Sequence, residues 1–342
     1  MARRSDWTPL RFVMVPAPSP GSLEVHSSSR PTVIYLDQNM WIDLARATKA
    51  PDDHPREREL LEILCAKVRT GGVRLPLTAS NLYETHKVKK AELRAAIAYT
   101  QAMLSKAEVF RGRRRRLEVE VARVLCELYG LPWKEPHPEW MFSRLFFESQ
   151  AELGDPRLGL KMSDRVLESF RSDPQAALID YLIESDDGVR REAVARFEQG
   201  CDGLKAEIEE RRLRHRNESL SMRRRIYSML LAHGDQEILI AVADQLALPW
   251  RCFEDNNGAT IRCVINETPA FLIEREIGLK LENQARPIHV NDMRDMRNFT
   301  TVLPYADVVV AEKQFTNLAR QAALETRFGV RLETDLEVLR DL

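Results

Sequence analysis

The chain has 342 residues, 44% of them hydrophobic, which is enough for one large core or two smaller ones. Its formal net charge is -1 although 30% of residues are charged, so overall charge says nothing against a local basic face. The sequence has no apolar run of membrane-spanning length, and Arg3 and Arg4 lack the apolar stretch of a signal peptide after them. The five cysteines (Cys65, Cys126, Cys201, Cys252 and Cys263) are scattered, with no CxxC pair and no zinc-ligand spacing, so a reducing, cytoplasmic location is expected.

Residues 1–30, with Pro16, Pro18, Pro20, Gly21 and three serines at 27–29, read as a loose arm in which Leu10–Val15 could pair at a sheet edge. Thr32–Leu36 is an apolar, β-branched and aromatic run, the pattern of a strand buried on both faces. It turns polar at Asp37. After Asn39 the apolar spacing becomes helical through Trp41, Ile42, Leu44, Ala45 and Ala47. Asp37 therefore stands at the C-terminal end of a central strand, where open α/β sheets bind ligands. The plainer reading is that Asp37 and Asn39 cap the helix.

Arg56–Val68 forms a second helix with Leu60, Leu61, Ile63, Leu64 and Val68 as its buried stripe, ended by Gly71-Gly72. Val73–Thr78 reads as a second strand, shortened or bulged at Pro76, which has no N–H for a ladder. Ala79–Lys90 is helical, with Thr78 or Ser80 as its cap and Glu84 about one turn in. From about Ala91 to Leu281 helical periodicity dominates, with stripes over Leu117–Leu128, Ala176–Ile183, Val189–Phe197, Met222–Leu231 and Gln236–Leu248.

That region carries three basic runs. Arg111, Arg113, Arg114, Arg115 and Arg116 form the densest, and could neutralise phosphates of a nucleic acid. The alternative is a solvated helix face paired with acids such as Glu118 and Glu120, and the two readings balance. For Arg211–Arg216 and Arg223–Arg225 pairing is preferred. His137, Trp133 and Trp140 read as loop packing rather than metal ligation.

The α/β texture then returns. Ile288–Val302 is a helix on which Asp292 and Asp295 share a face. Tyr305–Glu312 is a strand leaving the sheet at Glu312, a helix starts near Phe315, and Gly329–Glu333 is a last strand before a closing helix. If the strands ending at Asp37 and Glu312 are neighbours in a parallel sheet, Asp37, Glu84, Asp295 and Glu312 converge on one edge. Carboxylates gathered in one cleft repel one another unless a cation is present. Oxygen donors suit Mg²⁺ or Mn²⁺, which can activate water in phosphodiester hydrolysis. The alternative is that each acid is separately a cap or a surface residue.

Tyr35-Leu36-Asp37-Gln38-Asn39 resembles the first motif of the PIN-domain nucleases, an apolar strand ending in Asp, a small polar residue and Asn. Thr78-Ala79-Ser80-Asn81-Leu82-Tyr83-Glu84 is similar to the second, and Val308-Val309-Val310-Ala311-Glu312-Lys313-Gln314-Phe315 to the fourth. For the third acid Asp295 fits best, with Asp292 second and Asp307 a further candidate. Gln38 stands where the family usually has Thr or Ser, and Glu312 where it usually has Asp.

The resemblance covers 31–90 and 285–342. It implies a PIN-like three-layer α/β/α fold with a central parallel sheet, interrupted by an all-helical insertion over 91–284. It further implies Asp37, Glu84, Asp295 and Glu312 as catalytic metal holders for Mg²⁺ or Mn²⁺, with Asn39 supporting Asp37 and Asp43 near the site. The implied activity is a metal-dependent endonuclease, with RNA ahead of DNA as partner, and the insertion left for substrate access, a regulatory protein or self-association. The rival expectations are a non-catalytic PIN-like module that binds nucleic acid or protein, and another phosphohydrolase on a Rossmann-like sheet. No Gly-rich phosphate loop follows the first strand, which weighs against a nucleotide cofactor.

Overall fold

In the computed structural model the described residues are 30–153, 162–253 and 255–341. Contacts divide the chain into Met1–Arg30 and Pro31–Leu342, and the second unit holds all the elements below. The expected edge pairing of Leu10–Val15 lies outside the described residues.

Strand β1 (Thr32–Leu36) runs into α1 (Gln38–Lys49), followed by α2 (Pro55–Arg69), β2 (Val73–Arg74), α3 (Ala79–Lys87), α4 (Ala91–Ser105) and β3 (Val109–Phe110). Then come α5 (Arg113–Tyr129), β4 (Phe142–Ser143), α6 (Asp164–Ser172), α7 (Pro174–Ile183), α8 (Asp187–Arg214), α9 (Leu220–Gly234), α10 (Gln236–Gln245), α11 (Asp255–Glu267) and α12 (Pro269–Glu282). The chain closes with α13 (Val290–Val302), β5 (Val308–Val310), α14 (Lys313–Gln321), α15 (Leu324–Phe328) and β6 (Arg331–Glu333). The closing segment, Leu336–Asp341, is a 3₁₀ helix, tighter than the α-helix its apolar spacing suggests.

The protein is a mostly helical α/β protein with a four-stranded parallel sheet in the order β2-β1-β5-β6. Strands β1 and β5 are neighbours, with Leu36 opposite Val310. Pro76 has the effect its chemistry demands: the β2 ladder stops at Arg74, and pairing resumes only as an isolated parallel bridge from Leu77 to Val109. The short antiparallel pair β3–β4 has no signal in the sequence.

Strand alternation splits the core. Ile34, Leu36, Val308 and Val310 pack on one side with Trp41, Leu44, Leu60, Leu64 and the α4 residues Ala98 and Ala102. Val33, Tyr35 and Val309 pack on the other with Met293, Met296 and Phe299 of α13 and Phe315 and Leu318 of α14. Both faces are covered by helices, which is why these strands are apolar throughout. A third core joins α5, α9, α10, α11 and α12 through Leu117, Leu125, Leu239, Val264 and Phe271.

The mainly helical stretch does not stand apart from the sheet. Helix α4 and Val109 belong to the first sheet core, and Cys201 and Ile208 of α8 to the second. Helix α8 packs on both α3 and α13. Among the described residues no helix is long and apolar enough to cross a membrane.

Candidate functional site

All four strands are parallel, so their C-terminal ends share one edge. Asp37 follows β1 there, and its backbone N–H donates to the Val310 carbonyl at 2.9 Å, which fixes it beside the end of β5. Glu312 leaves that strand two residues later. Both acids occupy the residue before a helix, and neither side chain caps it. Asp37 makes no side-chain cap bond to α1; it is buried, 7% exposed, and of the first turn of α1 only the Gln38 N–H acts on its carboxylate.

What does hold Asp37 is Tyr35, fully buried two residues earlier on the same strand face, whose hydroxyl donates to Asp37 Oδ1 at 3.4 Å. Asn39 Nδ2 donates to Glu312 Oε1 at 2.8 Å. Asn39 thus supports Glu312, not Asp37 as the resemblance implies, because the first residues of α1 face the end of the adjacent strand. Asp43 points outward and pairs with Arg46 at 2.9 Å.

Glu84 comes from α3 and Asp295 from α13, both half-buried. Among the described residues neither makes a hydrogen bond or an ion pair. Burial, with the negative charge of Glu312 added, pushes the Asp37 carboxyl up to about 6. Burial and then Asp37 push Glu84 up to about 7, against the nearby positive charges of Arg294 and Lys87. Burial, then Asp37, Glu312 and Glu84, push Asp295 up to about 8. The four acids thus lie within one another's field. Tyr35, Asp37, Asp295, Asn298 and Glu312 line a common hollow.

The other two acids are committed elsewhere. Asp292 takes both nitrogens of Arg286 at 2.7 and 2.8 Å, the His289 N–H at 2.7 Å and the Gln314 amide at 3.0 Å. Burial pushes its carboxyl up, but these donors prevail and hold it below the usual range. Asp307 precedes β5, so it sits at the opposite edge of the sheet. Its carboxylate accepts the Val33 N–H at 2.8 Å and locks the start of the β1–β5 pair. Asp307 is apart from the cluster, and Asp292 reaches it only through its charge, which adds to the rise of Asp295.

Several residues that position the site carried no sequence signal of that role. Gln38, Asn81, Thr85 and Gln101 are almost fully buried and bonded to one another. Gln38 Nε2 donates to Thr85 Oγ1 at 3.0 Å, Thr85 Oγ1 to Gln101 Oε1 at 3.0 Å, and Gln101 Nε2 to Gln38 Oε1 at 3.2 Å. This network ties α1, which follows Asp37, to α3, which carries Glu84. It also explains Gln38: a longer side chain than Ser or Thr reaches across to Thr85. Glu198 on α8 pairs with Lys87 of α3 at 2.8 Å and Arg294 of α13 at 3.0 Å, bracing the two helices that flank the acids.

The arginine run is not a free basic face. Arg111 pairs with Glu148 at 2.6 Å and with Glu152. Arg113 pairs with Asp235 at 2.6 Å and Glu274 at 3.0 Å. Arg114 and Arg115 meet Glu118 at 3.1 and 3.5 Å. Arg116, 2% exposed, donates to the Thr300 carbonyl at 2.8 Å and Thr301 Oγ1 at 3.1 Å. Of the two balanced readings of this run, the ion pairs support the pairing one. The preference for pairing in the later runs agrees with Arg211–Glu282 at 2.8 Å and Arg224–Glu276 at 2.7 Å.

A cation would fit this donor set in kind: the ligands are carboxylate oxygens alone, held unprotonated only at a cost that a positive charge removes. Among the described residues, however, no three His, Cys, Asp or Glu side chains are grouped as a ready-made metal site. The acids feel one another without converging on a shared point. Comparison with protein-family models, with curated proteins and with solved structures finds no match to this chain.

Proposed function

We propose that the chain is a metal-dependent endonuclease of PIN-like α/β/α architecture that hydrolyses phosphodiester bonds, in RNA ahead of DNA. The observation that carries this reading is the set Asp37, Glu84 and Asp295: three acids from separate elements near the binding edge of a parallel sheet, each raised by burial and by a neighbouring acid, Glu312 for Asp37 and Asp37 first for the other two. Asp37, Glu84, Asp295 and Glu312 would hold Mg²⁺ or Mn²⁺. Such an ion supplies Lewis-acid polarisation of the phosphoryl group and a nucleophile at neutral pH. The chain's own part is positional. Tyr35 orients Asp37 through Oδ1, Asn39 restrains Glu312 at Oε1, and the Gln38–Thr85–Gln101 network sets α3 against α1.

Labelled RNA and single-stranded DNA incubated with purified protein in Mn²⁺ or EDTA test the proposal. Cleavage in Mn²⁺ is expected to fall roughly 10²–10³-fold in Asp37→Ala, the scale set by removing one preorganised electrostatic group. Identical traces from wild type and variant would end the nuclease reading.

The ungrouped side chains favour one alternative, a non-catalytic PIN-like module that binds nucleic acid or protein. Calorimetry with Mn²⁺ separates the two. A scaffold gives no heat that depends on Asp37 and Asp295, whereas the nuclease does.

A further inference from the structure

A cavity of about 590 Å³ opens beside the acids, between α8, the first turn of α3 and α13. Its volume is in the range of small-molecule sites, roughly 300–1,000 Å³. Asn298 lines both this cavity and the hollow shared by Asp37, Asp295 and Glu312, so the two spaces adjoin.

Its charge is unlike that of the arginine run. Arg113 also lines it but is neutralised by Asp235 and Glu274. Arg297, in contrast, has no carboxylate partner among the described residues; its Nη2 donates to the Gly200 carbonyl at 3.3 Å. The guanidinium of Arg297 lies 5.6 Å above the Phe197 ring, whose stacking partner is Tyr83 at 4.4 Å. A planar cation braced on an aromatic ring, with donors to spare, is suited to a phosphate. The N-terminal turn of α3 faces the same space with the positive end of its dipole.

Helix α8 is built to leave this room. Glycine within a helix is a destabilising choice, yet the 28-residue α8 has Gly200 and Gly203 on the cavity wall. A Cβ at Gly200 would come 3.1 Å from Arg297 Nη2, and one at Gly203 would meet nothing within 4 Å. The first glycine seats the guanidinium and the second borders open space.

We infer that this cavity is a nucleotide subsite, taking one nucleotide of a single-stranded chain next to the acid cleft with its phosphate on Arg297. The inference rests on the nuclease reading for its substrate and adds where the strand is gripped. Binding of a fluorescent pentaribonucleotide and of AMP, measured in EDTA, tests it without cleavage. Arg297→Gln and Gly203→Trp are each expected to weaken both ligands by about tenfold or more, the scale of a lost hydrogen bond to a charged group. Folding of each variant is checked by its melting curve, and Arg297→Gln, at a half-buried position, carries the test if Gly203→Trp does not fold. Wild-type affinity in Arg297→Gln overturns the subsite, as does binding of AMP without the pentamer. If both variants lose binding but wild type shows no Asp37-dependent cleavage in Mn²⁺, the subsite stands and the nuclease reading falls. If cleavage depends on Asp37 but the variants bind normally, the reverse holds.

Discussion

The arginine run that opens α5 and the acids at the end of β1 and β5 are both dense in charge, but the molecule treats them oppositely. Arg113 takes two acids, Arg114 and Arg115 share Glu118, and Arg116 is buried with its donors on carbonyl and hydroxyl oxygens. At the sheet edge, Glu84 and Asp295 have no such partner among the described residues, and Asp37 has neutral donors, a long bond from Tyr35 and the Gln38 N–H. Structural charge in this protein is compensated by the fold itself. Uncompensated like charge, half-buried, is a cost that the fold gains nothing from on its own, and it marks where a ligand of opposite sign belongs. Asp292 and Asp307 sharpen the contrast: Asp292 is held by Arg286, the His289 N–H and Gln314, and Asp307 takes the Val33 N–H at the other edge of the sheet.

The largest effect expected from this comparison is on the compensated side. Arg116→Met leaves the Thr300 carbonyl and the buried Glu120 without their cation and should cost about 3–5 kcal/mol in urea denaturation, the scale of breaking a buried charged contact. RNA affinity measured on the folded fraction should not change. Weakened RNA binding with unchanged stability would return the run to a nucleic-acid role.

Next comes the uncompensated side, through pH and metal. Asp37, Glu84 and Asp295 have folded-state values of about 6, about 7 and about 8, all above their ordinary values. The folded chain therefore binds more protons than the unfolded chain between roughly pH 4 and 8. In EDTA these groups should make stability fall as pH rises through that window, and Asp295→Asn should flatten the fall and raise the melting midpoint at pH 8. Mn²⁺ at about 100 times its dissociation constant at pH 8 should add about 2.7 kcal/mol there, and the same concentration should add less at pH 5. A wild-type melt unchanged by Mn²⁺ at pH 8 would mean the acids do not share an ion.

A smaller loss is expected from the positioning network. Gln101→Leu removes one of the bonds that the interior Gln38 and Thr85 each make and should cost about 0.5–1.5 kcal/mol per bond. Because the network sets α3 against α1, Mn²⁺ affinity should drop with it, by about tenfold. Unaltered Mn²⁺ affinity in a destabilised variant would reduce the network to packing. The smallest effect belongs to Arg114→Ala with Arg115→Ala, whose partly exposed pairs with Glu118 are worth under about 1 kcal/mol. Salt dependence of RNA binding should be the same with and without them. A shallower slope in the double variant would count against the pairing account.

The strand ending at Asp37, the helix bearing Glu84, the helix bearing Asp295 and the strand ending at Glu312 are all legible in the sequence. Each is announced by a change in hydrophobic period next to an acid. The fate of the arginines is not, because their partners are remote: Asp235 lies 122 residues from Arg113 and Glu274 lies 161. Nothing in Arg113-Arg114-Arg115-Arg116 distinguishes a phosphate clamp from a set of buried struts. The Gln38–Thr85–Gln101 network was equally hidden, since an isolated Gln on a helix reads as surface.

The change from a continuous apolar run to helical spacing decided by itself where β1 and β5 end and which acids stand there, because a strand buried on both faces and an amphipathic helix demand different hydrophobic patterns. Which charges are neutralised was decided only when α5, α8, α12 and α13 packed together. Electrostatic compensation depends on separation in space, and the partners here come from elements that no local pattern connects.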